Sequence, residues 1–294
     1  MKCRHCGADV QHVLVDLGTA PPSNAYLSKI ALKRPEKYFP LKVLVCESCW
    51  LVQAEAYSRA AELFNEEYAY FSSFSTEWLS HARKYVDQMI ERFGLGKSSL
   101  IGEVAANDGY LLQFVKEKGI SCFGIEPTAS TATVARQKGL EIIQEFLTLS
   151  LAHDLRSSSR TVDLLVANNV LAHVPDINDF TQSCQLLLKA NGVLTCEFPH
   201  LLNLVFQHQF DTIYHEHFSY LSFGTVLNIF AKNGLQVFDV EKLGTHGGSL
   251  RVFAQRSDIG SHTLDPSVEK LLSEEASAGM HSLDFYRGFQ EHAE

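Results

Sequence analysis

Between residues 97 and 198 the chain alternates short β-rich runs with helical segments, and that alternation restricts the fold more than any other feature. "SLIGEVA", "CFGIEP", "EIIQEF", "VDLLVANNV" and "GVLTCEF" interleave with "YLLQFVKEKG", "TASTATVARQKG" and "INDFTQSCQLLLKANG". Strand and helix in repetition build a parallel sheet covered on both faces. Ahead of it, "TEWLSHARKYVDQMIERFGLG" sets Trp78, Leu79, Ala82, Tyr85, Val86, Met89, Ile90 and Phe93 at helical spacing and stops at Gly94 and Gly96. That pattern is an amphipathic helix. Ligands on such a sheet bind at the carboxyl ends of the strands where the strand order reverses, so the chemistry is expected in the loops that follow the strands.

The first sixty residues follow a different rule. Cys3 and Cys6, then Cys46 and Cys49, form two C-x-x-C knuckles separated by 39 residues. Four thiolates close a tetrahedral structural zinc site, and "HVLVDLG" with "YFPLKVLVC" can fold back as strands to bring the pairs together. A redox C-x-x-C is the rival reading, disfavoured by two such pairs at the ends of one small module. The remaining cysteines, Cys122, Cys184 and Cys196, sit in apolar runs and read as packed thiols. "LGTAPPSNAYL" (17–27) is a turn-rich loop whose Ser23, Asn24 and Tyr26 either face a ligand or merely connect.

A length of 294 residues suggests about two domains, and 46% hydrophobic composition is enough for a real core. The formal charge of −9 repels a polyphosphate backbone, which argues against nucleic acid as a partner. No run of 18 apolar residues occurs and the start lacks the order of a signal peptide, so the expectation is a cytoplasmic protein without a membrane partner.

Of the loops, "EVAANDGYLL" (103–112) resembles, in weakened form, the acidic-then-glycine loop of S-adenosylmethionine (SAM) methyltransferases. A dinucleotide site would want G-x-G-x-x-G before a helix N-terminus; here Ala105 and Ala106 replace glycines, and Asn107 and Asp108 precede Gly109. An acidic side chain suits the cationic sulfonium and amino group of SAM better than a phosphate. Glu103, Ala105, Asn107, Asp108, Gly109 and Tyr110 are therefore candidates for the cofactor. Glu126, with Pro127 in "GIEPTA", is placed to accept ribose hydroxyls. Asn168 and His173 in "VANNVLAHVPD" follow the fourth strand, where cofactor and substrate are lined; Asn169 reads equally well as a turn residue. Phe146 either lies against adenine or belongs to the core.

"DTIYHEHFSYLS" (211–222) packs two histidines, a glutamate and two tyrosines between apolar neighbours. In an extended segment His215 and His217 point to opposite faces, and a two-histidine metal helix uses i and i+4, so metal is disfavoured here. Buried, these groups need partners and perturb one another's pKa values. A His–Glu pair in a cofactor cleft makes a reasonable general base.

Taken in order, the double C-x-x-C module, "YAYFSSFS" (68–75), "EVAANDGYLL", "GIEP", "NNVLAHVPD", "YHEHFSYLS" and "THGGSLRVF" (245–253) resemble the sugar C-methyltransferase family. The resemblance runs from Cys3 to about Arg256. It implies a zinc-binding domain (1–60), a SAM-dependent methyltransferase domain with a Rossmann-like sheet (61–234) and a C-terminal substrate-binding domain (235–294). It also implies the activity: methylation of a ring carbon beside the ketone of a nucleotide-linked 4-keto deoxysugar. By motif, His217 resembles the base, Glu216 and Tyr214 its neighbours, and Tyr70 a tyrosine that reaches the same site. His246, Ser249 and Arg251 are candidates for substrate contacts, or form a tight turn into an edge strand. Family members continue beyond "HSLDFYRGFQEHAE", so the third domain is expected to be partial here. The rival functions are an O- or N-methyltransferase of another small metabolite and a zinc-ribbon binding protein without catalysis.

Overall fold

The computed structural model describes residues 1–57, 63–64 and 70–294. Tyr68 and Ala69 of the "YAYFSSFS" segment, and the expected boundary at residues 60 and 61, lie outside the described residues.

The amphipathic text at Thr76 folds as helix α1 (Thr76–Phe93). Ser75 caps its start by accepting the Trp78 N–H, and Gly94 ends it in the left-handed conformation. Five parallel strands follow: β4 (Leu100–Val104), β5 (Ser121–Ile125), β6 (Ile142–Ile143), β7 (Val162–Asn168) and β8 (Leu188–Pro199). Between them lie α2 (Leu112–Glu117), α3 (Ala129–Gln137), α4 (Leu149–Ser157) and α5 (Ile177–Leu187). Antiparallel β10 (Leu235–Leu243) and β11 (Ser249–Arg256) complete a seven-stranded sheet in the order β10-β11-β8-β7-β4-β5-β6. The sheet thus continues past residue 235, where the C-terminal domain was expected to begin. The strand order reverses at β4, which pairs with both β5 and β7, and the crevice for a ligand opens at the carboxyl ends of these strands.

A second, antiparallel sheet runs β1 (His12–Ala20), β2 (Phe39–Val45), β3 (Val52–Ala54) and β9 (Ser219–Tyr220). The fold-back of the two N-terminal strands was expected; the pairing of β3 with β9 was not. Through β9 the "YHEHFSYLS" segment is stitched onto the zinc-module sheet.

The N-terminal module also shares its core with the domain of the seven-stranded sheet. Cys3, Cys46, Cys49 and Leu51 pack in one cluster with Phe180 of α5 and with Phe223 and Phe230 of helix α7 (Phe223–Lys232). Asn178 donates to the carbonyls of Arg4 and His5, and Lys232 reaches the His5 carbonyl. At the far end, α8 (Pro266–Ser277) supplies Glu275, which accepts the N–H groups of Phe223 and Gly224 and pairs with buried His200 at 2.7 Å. Among the described residues no helix is long and apolar enough to cross a membrane.

Candidate active site

The loop after β4 turns through unusual backbone. Ala105 and Asn107 take φ of 55° and 49°, the region glycine occupies at no steric cost. Gly109 has no substitute: at φ 75° an added Cβ would meet Leu140 at 2.3 Å. The turn aims the Asn107 N–H at the Glu126 carboxylate, 2.9 Å away, and Glu126 also accepts the Thr128 N–H at 2.9 Å. Glu103 is buried at the end of β4, among the described residues neither of its oxygens meets a donor at hydrogen-bond geometry, and burial pushes its carboxyl well above the usual range. Tyr110 is buried beside it. Asp108 bonds Ser73 and lies 3.5 Å from the Lys138 ammonium; its other oxygen, and the Asn168 carboxamide oxygen at the end of β7, have no partner among the described residues. Buried acceptors without donors are costly, and a ligand carrying an ammonium, a sulfonium and ribose hydroxyls is what these four oxygens fit. Pro127 is partly exposed at the same rim and Phe146 is 40% exposed, which removes Phe146 from the core.

A strap crosses this loop. The Asn107 side chain accepts the Ser72 N–H and donates to the Tyr70 carbonyl, so Tyr70 is held over the cofactor turn with its ring half exposed. Burial, with the Asp108 carboxylate nearby, raises the Tyr70 phenol's pKa, and Tyr70 in turn acts on Tyr214.

The motif segment is a turn, not an extended strand: the His217 N–H donates to the Tyr214 carbonyl at 3.0 Å. His217 Nδ1 lies 2.9 Å from the Thr212 carbonyl, and Nε2 lies 2.9 Å from the Tyr214 hydroxyl. A carbonyl only accepts, so Nδ1 carries the hydrogen and Nε2 keeps the lone pair. Burial, with His173 beside it, pushes the His217 imidazole well below the usual histidine pKa. His173, whose ring centroid is 4.6 Å from that of His217, donates Nδ1–H to the Glu216 carbonyl and is pushed by burial to about 4. Both rings are neutral at pH 7. Burial also raises the Tyr214 phenol. Behind His217 lies a small, largely apolar cavity lined by Ala172, Leu204, Tyr220 and Leu221. His215 leaves the site: its Nε2 bonds the carbonyls of Phe39 and Pro40 at 3.2 Å.

Arg251 is committed elsewhere, 3% exposed and paired with Glu197 and Glu241, which takes it off the candidates for a substrate phosphate. Ser249 donates to the Thr245 carbonyl, while His246, at φ 51°, sits edge-on to Trp78 at 5.2 Å. Sequence reasoning missed Glu197, which links His81 and Arg251 at the end of β8 despite being fully buried; the signal was a lone acidic residue in the apolar strand "GVLTCEF".

At the other end of the module the sulfur atoms of Cys3, Cys6, Cys46 and Cys49 all lie within 4.8 Å of one another, with Cys3–Cys49 at 3.5 Å and Cys6–Cys46 at 3.6 Å. Zinc–sulfur bonds of about 2.3 Å give tetrahedron edges of about 3.8 Å, so the cluster fits the ion. Gln53 donates to the Cys3 sulfur at 3.3 Å from a fully buried position, the kind of support that orients a ligand.

Family models match in the same order along the chain: a zinc binding domain over residues 3–64, a methyltransferase domain over 78–240 and a C-methyltransferase C-terminal domain over 244–294. C-methyltransferase NovU of Streptomyces niveus is 34% identical over 288 residues, 98% of this chain and 68% of NovU. The chain belongs to the SAM-dependent C-methyltransferase family. Human mitochondrial ubiquinone biosynthesis O-methyltransferase is more distant, 27% identical over 46% of this C-methyltransferase and 41% of its own length. Among solved structures, the PH0226 protein of Pyrococcus horikoshii OT3 matches with a TM-score of 0.50 at 14% identity, covering 64% of this chain and 94% of that one; this likeness concerns the fold. SAM is the cofactor of this C-methyltransferase and zinc the ion of its four-cysteine site.

Proposed function

We propose that this C-methyltransferase methylates a ring carbon beside the ketone of a nucleotide-linked 4-keto deoxysugar, with His217 as the base. The observation that carries the reading is the tautomer of His217, held by the Thr212 carbonyl so that Nε2 presents a lone pair at the Tyr214 hydroxyl. SAM, when bound, supplies the electrophilic methyl group. As the Tyr214 hydroxyl turns from Nε2 to the ketone oxygen, the freed lone pair of Nε2 takes the proton from the carbon beside the ketone and the hydroxyl donates to the developing enolate oxygen. Burial keeps the imidazole neutral and able to accept while lowering its basicity, and its cation forms together with an enolate, so the pocket gains no net charge. The Thr212 carbonyl steadies that cation, which returns its proton to solvent after the methyl has moved. Glu216 accepts from a sugar hydroxyl, Tyr70 closes the site from the strap, and Glu103, Glu126 and Asn168 hold the cofactor.

The carbon target is supported by the C-methyltransferase relative, and the sugar by the family resemblance. The product decides: incubation with methyl-labelled SAM and a thymidine diphosphate-linked 4-keto-6-deoxyhexose should place the label on a ring carbon. Label found only on oxygen or nitrogen contradicts the reading.

A further inference from the structure

Asn24 lies in the turn-rich loop after β1, far in sequence from the motif, yet its amide nitrogen sits 2.8 and 2.9 Å from the two carboxylate oxygens of Glu216. Glu216 is 2% exposed. A carboxylate in that setting needs donors, and an amide NH2 group placed between both oxygens supplies them without adding a charge. The route from one residue to the other is short and stiff. The loop leaves β1 at Ala20, β1 pairs with β2, β2 with β3, and β3 with β9, which begins three residues after Glu216. The zinc module thus presents a donor to the residue next to the base.

We infer that Asn24 is a positioning residue for the methyl transfer, acting through Glu216, so that the zinc module completes the active site instead of only abutting it. The inference rests on the reading of His217 as base and Glu216 as its neighbour. Its side-chain hydrogen bonds among the described residues go to Glu216, where it holds the carboxylate as an acceptor and with it the turn that sets His217. The His217 and Phe218 amides report on that turn, being bonded to the carbonyls of Tyr214 and Ala172 at 3.0 and 2.8 Å.

Two measurements on the full chain with zinc bound test it. In Asn24→Ala, hydrogen exchange at the His217 and Phe218 amides should rise, with zinc content and SAM affinity retained. Unchanged exchange there overturns the inference, and this readout needs no sugar substrate. With the thymidine diphosphate-linked 4-keto-6-deoxyhexose, Asn24→Ala should lower kcat about tenfold to hundredfold at nearly constant KM, the scale of a lost hydrogen bond to a charged group. Asn24→Gln, which keeps the amide, should recover part of the loss. In a Glu216→Gln background the same Asn24→Ala change should cost less than about twofold, because partners in one unit do not add. Additive losses would mean that Asn24 acts on folding or on another group, and overturn the inference. If Asn24→Ala loses zinc, the isosteric Asn24→Asp, which donates nothing and repels Glu216, takes its place with the same expectations. Absence of turnover by the unaltered enzyme overturns the substrate reading, and the exchange comparison then decides the inference alone.

Discussion

The Thr212 carbonyl accepts the Nδ1–H of His217 at 2.9 Å, and this one bond decides which nitrogen of the ring faces the site. Thr212 ends the short 3-10 helix Phe210–Thr212 just ahead of the turn that carries His217, so the group that sets the tautomer comes from the neighbouring element of the same segment.

His217→Asn should leave SAM affinity within about twofold of the unaltered protein while turnover falls about 10²- to 10⁴-fold, the usual worth of a general base. Isothermal titration with SAM and a single-turnover assay separate the two. Retained turnover would remove His217 from the base role.

Glu126→Ala should act on the cofactor instead. Glu126, at the carboxyl end of β5, holds the Asn107 and Thr128 amides, so its loss costs a proposed ribose contact and loosens the loop. SAM affinity should fall about tenfold to hundredfold. A titration showing no loss would contradict the assignment.

Stability should depend on pH through His173. Its folded pKa, about 4, lies below the ordinary 6.5 because burial disfavours the cation. The unfolded chain therefore binds more protons between these values, and stability present above pH 6.5 is lost as pH falls toward 4. The shift corresponds to about 3 kcal/mol at its low-pH limit. Urea unfolding at a series of pH values should show a shallower acid slope for His173→Asn than for the unaltered chain; equal slopes would contradict the burial argument.

Cys46→Ser should release the metal and lower the thermal midpoint by about 5–10 °C, since structural zinc binding is folding free energy. The loss should spread beyond the first sixty residues, because Cys46 and Cys49 pack in one cluster with Phe223 and Phe230. Full zinc occupancy in the variant would refute the four-thiolate site.

Much of this was legible in the sequence. The parallel sheet, helix α1 and the cysteine cluster carry local or strongly typed signals: strand-length apolar runs, helical spacing, paired thiols. What the sequence left hidden are pairings between distant segments. Strand β9 is two residues long and shows no periodicity, so nothing announced that it would join β3. The resemblance puts β10 and β11 in the C-terminal domain, and their pairing onto the edge of the parallel sheet at β8 joins segments that sequence periodicity does not connect. The segment at 214–217 was read as extended, whereas the His217 to Tyr214 backbone bond makes it a turn; His215 leaves the site in either geometry. Arg251 looked available for an anion because its partner Glu197, 54 residues away, lies in an apolar strand. Asn24 was visible only as one of three polar residues in a turn-rich loop, and its contact with Glu216 depends on the whole β1-β2-β3-β9 sheet.

The central claim is that His217 removes a proton from carbon. Solvent deuterium exchange into a thymidine diphosphate-linked 4-keto-6-deoxyhexose, followed by NMR with the SAM-free enzyme, measures that step alone. The account predicts enzyme-dependent deuterium at the carbon beside the ketone, abolished in His217→Asn. Exchange that is absent from the unaltered enzyme, or undiminished in the variant, would contradict it.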